Sequence, residues 1–292
     1  MVASNRDEVR DFLTSRRARI SPQQAGLVSF GRRRVPGLRR EEVATLAGVS
    51  VDYLSRLERG NLTGVSDGVI EAIARALQLD DAERAHLFDL ARAANSSPTR
   101  RAARPAPRGL RVGIQQLLDA MTDAAALVGN ARGDTLGANR LGRALFGPMI
   151  EGPARGNGAR FVFLDPRSVD FYPEWSQAAH SVVAALRSEA ARNPDTDLTA
   201  LIGELATYSD AFRTLWATHD VRLHRTGSKR IHHPVVGDLT LAYDVLGLPA
   251  DEGLEVVAFT AEPGSTSADA LKVLASWAAS ATEKSQATGP TS

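Results

Sequence analysis

Apolar side chains recur at helical spacing through most of the first hundred positions. Val9, Phe12 and Leu13 form one stripe, and Val43, Ala44, Leu46 and Ala47 a second. Val49, Leu54 and Leu57, with Tyr53 beside them, form a third. Two more follow: Val69, Ile70, Ile73, Ala74 and Leu77, then Ala85, Leu87, Phe88, Leu90 and Ala91. Each set predicts an amphipathic helix. The polar residues between them supply starts and stops. Ser4-Asn5-Arg6-Asp7 reads as a capping box, Ser21-Pro22 as a cap with proline at the first helical position, and Ser66 and the pair Asp80/Glu83 as further caps. The tightest spacing lies in Gly37–Gly60. A small residue, Ala44, is followed four positions on by Gly48, which permits a left-handed turn, and then by Ser50 as N-cap. Gly60 ends the second helix. This is the spacing of two helices crossing closely at a tight turn, with one face of the second open to a major groove.

The pattern changes after residue 94. Residues 95–109, NSSPTRRAARPAPRG, carry almost no large apolar side chain and read as an exposed linker. From 110 to 282 helix and strand signals mix. Val112, Ile114, Leu117 and Leu118 suggest a helix, and the stretch from Ala126 through Arg132-Gly133 to Leu136 a small hairpin. Ala138–Phe146 reads as helix and Gly147–Gly158 as loop. Helices are expected at Trp175–Arg192, Leu198–Thr207 and Asp210–Ala217, strands at Asp238–Leu246 and Leu254–Thr260, and a last helix at Ser267–Ala281 with Leu271, Leu274 and Trp277 facing inward. The tail 283–292 is disordered by composition. The fold class is therefore multidomain: an all-α five-helix helix-turn-helix domain at 1–94, then an α+β domain with an antiparallel sheet.

Charge sharpens the division. Over 292 residues the net charge is +1, yet residues 1–110 hold 19 arginines and no lysine against 13 acidic residues, a net +6. Residues 111–292 carry 16 basic against 21 acidic residues, a net −5. Only the first half suits a phosphate backbone. A hairpin used purely for packing has no use for the arginines at 32, 33, 34, 39 and 40. The absence of cysteine excludes disulfides and thiolate metal sites. There is no apolar run of membrane-spanning length, and the charged start SNRDEVRDF lacks a signal-peptide core, so no membrane partner and a cytoplasmic location are expected.

Gly37–Gly60 resembles the Xre/Cro-type helix-turn-helix, down to its ending SRLERG, and RRRVPGLRREEVA (Arg32–Ala44) resembles the actinobacterial MmyB-like transcription regulators. GDTLGANRLGRALF (Gly133–Phe146), SDAFRTLWATHDV (Ser209–Val221) and HHPVVGDLTL (His232–Leu241) are similar to blocks of that family's ligand-binding domain. The resemblance implies a PAS-like fold for 110–282, and a small, lipid-like effector such as a fatty acid. In place of the tryptophan often found before the family's asparagine, this chain has Gly137-Ala138-Asn139.

The candidate DNA-binding residues follow from position. Ser50, Val51, Asp52 and Tyr53 open the recognition helix, and Arg56 lies one turn on. Arg39 and Arg40 can touch phosphate, and Arg32, Arg33 and Arg34 the backbone or a minor groove. Glu58 is expected to pair with an arginine. Arg16, Arg17 and Arg19 suit either a solvated helix end or a phosphate. The candidate ligand-binding residues are Trp175, Phe212 and Trp216 as aromatic walls, and Asn139, Arg187 and Arg213 as polar groups for a ligand head. No cofactor is expected beyond such a ligand. His219, His224, His232 and His233 fall within fifteen residues, but lack helical ligand spacing. No catalytic signature is present: there is no G-x-S-x-G, no phosphate loop and no H-E-x-x-H. The expectation is a regulator that binds double-stranded DNA as a homodimer on an inverted repeat and answers to a small-molecule effector. The alternatives for the second half are a ligand-free dimerisation or protein-interaction module, and a metal sensor.

Overall fold

The computed structural model describes residues 5–27, 37–95, 110–193, 195–218 and 225–287, with side chains to residue 280. The packing divides them into two units.

The first unit contains α1 (Asn5–Arg19), α2 (Arg40–Ala47), α3 (Val51–Glu58), α4 (Asp67–Ala76) and α5 (Asp81–Asn95). All five helical stripes turn inward, apart from Leu46 and Ala85, which are exposed. Val9, Phe12, Val43, Ala44, Leu54, Leu57, Ile70, Ile73, Leu87 and Leu90 are buried in one core. Each large aliphatic there contributes about 1.5–3 kcal/mol relative to exposure. Gly48 takes φ +68° and turns the chain between α2 and α3, while Gly60 at φ +85° lies so close to Arg6 that a Cβ would fall 2.2 Å from its carbonyl oxygen. Asp80 and Glu83 form the expected reciprocal cap: each side chain accepts from the other's backbone N–H, at 2.8 and 3.2 Å. Ser66 holds the N-cap position of α4 without a side-chain cap bond. Residues 22–26 form a turn in place of the short helix expected after Ser21-Pro22. Ser4 lies outside the described residues.

Of the arginines that end α1, Arg19 stays exposed with Glu83 at 3.5 Å, while Arg16 and Arg17 are drawn inward. Arg16 is buried against Glu83 at 2.9 Å and lies over the Phe12 ring. Arg17 reaches Glu58 at 2.6 Å. The C-terminus of α1 is thus tied to α5 and α3 by charge.

The two units are not continuous stretches of chain. Val183–Ala206 and residues 213–218 belong to the first unit. The helix α11 (Trp175–Arg192) changes unit at Val183, and Ala191 lies in the first unit's core. α12 (Thr196–Tyr208) follows, burying Leu198, Leu201, Ile202 and Leu205, and then α13 (Asp210–Ala217).

The second unit is built on a five-stranded antiparallel sheet in the order β2-β1-β5-β4-β3. The strands are β1 (Ala125–Asn130), β2 (Thr135–Ala138), β3 (Thr226–His233), β4 (Gly237–Gly247) and β5 (Leu254–Thr260). The hairpin and the last two strands fall where the pattern put them. β3 escapes that pattern because its apolar alternation is broken by Lys229 on one face and by polar residues on the other; it is an edge strand. α6 (Val112–Ala120) covers one face through Leu118, packed with Ala126, Val128, Leu254 and Val256. After α7 (Arg140–Leu145), the stretch 147–158 read as loop opens with a short helix, α8 (Gly147–Ile150), and is turn over 151–156; α9 (Gly158–Leu164) and α10 (Arg167–Phe171) follow where the pattern marks no element. Pro148 starts α8 where its missing N–H is no loss. The layout is the α+β, PAS-like one expected.

The last helix, α14 (Thr266–Ala287), corrects two expectations. It runs past Glu283, where the disordered tail was to begin, and Trp277 is 49% exposed instead of inward. Leu271, Leu274 and Ala278 carry its buried stripe. No helix among the described residues is long and apolar enough to cross a membrane.

Candidate nucleic-acid interface and sensor face

The start of α3 is presented outward. The Ser50 hydroxyl accepts the Tyr53 N–H at 3.1 Å, which fixes the first turn. Val51 and Asp52 are exposed, and Tyr53 and Arg56 are half-buried. The Arg56 guanidinium lies 5.0 Å from the centre of the Tyr53 ring, and its buried Nε has no hydrogen-bond partner among the described residues. The predicted recognition residues thus lie on one short helix and its N-cap, with Arg56 one turn beyond Asp52 in the last turn, and that arginine keeps hydrogen-bonding capacity for a partner.

Arg39 is exposed at the N-cap of α2, where its backbone N–H donates to Glu42 at 2.6 Å. Arg40 is exposed but its Nε donates to Glu58 at 2.5 Å, and the same buried carboxylate accepts from Arg17. Glu58 therefore pairs with arginine as expected, with two of them at once. Arg32, Arg33 and Arg34 lie outside the described residues.

The six candidate ligand residues are divided between the two units. Arg187, Arg213 and Trp216 belong to the first unit; Asn139, Trp175 and Phe212 belong to the second. Arg187 is buried, pairs with Glu8, donates to the Trp216 carbonyl, and lies over the Trp216 ring at 4.4 Å. Its charge is answered by Glu8. Arg213 donates to the Ala206 carbonyl at 2.9 Å. Asn139 is saturated. Its amide donates to the Met121 and Ala124 carbonyls, both at 2.7 Å, and its Oδ1 accepts from Ala126 at 3.0 Å and Gly142 at 2.7 Å. An asparagine has two donors and two acceptor positions, so none remains for a head group. Instead it caps α7 and ties it to β1. Trp175 and Phe212 both stack edge-on against Phe163, and the Trp175 indole donates to the Val162 carbonyl.

The polar feature that the sequence reading passed over is Lys229. Its ammonium sits 5.4 Å from the Tyr172 ring centre and 5.5 Å from that of Tyr243. Tyr172 stacks on Phe171, Phe171 on Phe146, Phe146 on Phe259, and Phe259 on Tyr243. The chain of rings closes on itself through the lysine. Tyr243 can lie across β3 because its cross-strand neighbour is Gly227; a Cβ there would stand 3.2 Å from the ring. Burial pushes the Lys229 ammonium below its ordinary pKa and the Tyr172 hydroxyl above its own. The clue in the sequence was period-two spacing: Lys229, Ile231 and His233 share the face that becomes interior.

Among the described residues no group of three histidine or acidic side chains is placed to hold a metal ion. His232 pairs with Asp238 at 2.6 Å, and His233 contacts the Ala144 carbonyl from the opposite face of β3. His219 and His224 lie outside the described residues.

A helix-turn-helix unit joined to an antiparallel α+β unit defines a transcription regulator that binds DNA through the first and a ligand through the second. Residues 8–87 match a helix-turn-helix domain, and residues 110–274, over half of the chain, match the MmyB-like transcription regulator ligand binding domain. The chain belongs to that family. No curated protein matches it.

Proposed function

We propose that this regulator binds an inverted-repeat operator as a homodimer, and that a small, lipid-like molecule such as a fatty acid alters that binding. The observation that carries the first part is the exposed start of α3, with Arg56 stacked on Tyr53 and its Nε unpartnered among the described residues. Single helix-turn-helix motifs read few base pairs, and two-fold symmetry sets two recognition helices about 34 Å apart on one DNA face. Val273 and Trp277, one turn apart on α14 and both exposed, offer an apolar face that supports association with a second copy. A ligand regulates such a dimer by binding its DNA-competent and incompetent forms unequally. Neither half carries a catalytic constellation in this reading, and the protein acts in the cytoplasm. Binding-site selection from a random duplex library, followed by light scattering with and without the selected DNA, tests it. The expected result is a two-fold motif with half-sites about one helical turn apart and a dimer on it. A selected pool without symmetry, or a monomer in both conditions, defeats it.

A further inference from the structure

We infer that Lys229 is the residue that anchors the ionised end of the effector. This rests on the reading that the second unit binds a small molecule. Lys229 has no carboxylate partner among the described residues, whereas Lys272 pairs with Asp269 at 3.0 Å. A lysine on a strand normally carries its charge out to water; this one holds it between two tyrosine rings. Ring faces attract a cation but leave it without a counter-charge, and burial without one is unfavourable. An arriving anion supplies what is missing.

The surface beside it suits the rest of such a molecule. Cross-strand pairing puts Val245, Val257 and Leu127 side by side across β4, β5 and β1, on the face that carries Lys229 and Tyr243. All three are only half-buried, although they occupy the row next to the closed aromatic ring. At the end of this row Arg225 is matched by Glu255 at 3.2 Å, whereas Lys229 has no such acidic partner among the described residues. One ammonium balances one negative charge, which favours a carboxylate over a dianionic phosphate ester.

Titration calorimetry of the full-length protein with decanoate and with decanol tests the inference, using Lys229→Met, Lys229→Gln and Lys229→Arg beside the wild type. Circular dichroism verifies that each variant is folded, and the Gln variant stands in should the Met variant fail that check. The wild type is expected to bind decanoate at least tenfold more tightly than decanol. The neutral variants should lose that preference while keeping decanol affinity, and Lys229→Arg should retain part of it. Equal binding of acid and alcohol by the wild type overturns the role of charge while leaving an apolar-ligand sensor standing. Unchanged decanoate affinity in the neutral variants overturns the role of Lys229. A wild type that binds neither molecule overturns the inference outright, and the DNA selection is read independently of all three.

Discussion

Arg187 and Glu8, 179 positions apart in sequence, form a buried ion pair in the first unit. One comes from the stretch that matches the ligand-binding domain, the other from the helix-turn-helix match. The guanidinium also covers Trp216, so three distant segments meet on one charge. Removing one member strands the other charge in an apolar setting. Arg187→Met and Glu8→Gln should each lower stability by about 3–5 kcal/mol, seen as a reduced urea midpoint of the full-length protein. A shift no larger than a surface substitution gives would refute this.

Arg56 and Arg39 should fail in different ways. Arg56→Ala is expected to change relative affinity among operator point variants by about 1–3 kcal/mol, because the guanidinium leaves its Tyr53 stack to meet a base. Arg39→Ala should weaken all duplexes alike and lower the salt slope by about one. Fluorescence anisotropy across a salt series separates the two. Equal loss on every sequence for Arg56→Ala would reassign that residue to the backbone.

His86 gives the stability a pH dependence. It is buried beside Phe12, with Glu8 at 3.8 Å, and burial holds its pKa below the ordinary value in spite of Glu8. When the folded pKa is lower, the unfolded chain takes up the proton first as pH falls. The contribution is therefore complete above about pH 6.5, the unfolded value, and is lost as pH drops through the folded one. Urea midpoints should decline between pH 7.5 and 5.5, and His86→Leu should flatten that decline. An identical slope in the variant would place the effect elsewhere.

Asn139→Ala should act on stability and not on ligand uptake. It strips bonds from Ala126, Gly142, Met121 and Ala124, a loss of about 2–4 kcal/mol. The folded variant should bind decanoate with wild-type affinity. Reduced affinity at full folding would restore Asn139 as a ligand contact.

The sequence by itself determined what is local. Helical stripes, Gly48, Ser50 and the Asp80/Glu83 cap specify a helix-turn-helix because each rests on neighbours within a turn of one another. The family blocks and the division of charge placed DNA binding in the first half. Tertiary structure decided what depends on partners far along the chain. Arg187 looked like a ligand group until Glu8 neutralised it, and Asn139 until four backbone groups took up its amide. Lys229 does not stand out in the sequence, because the strand that holds it lacks a clean apolar alternation. Only the pairing of Gly227 with Tyr243, and the folding of α10 back to bring Tyr172 across, enclosed its charge. Hydrogen bonds and ion pairs are satisfied by whatever the fold brings near, and no spacing in the sequence states which groups those will be.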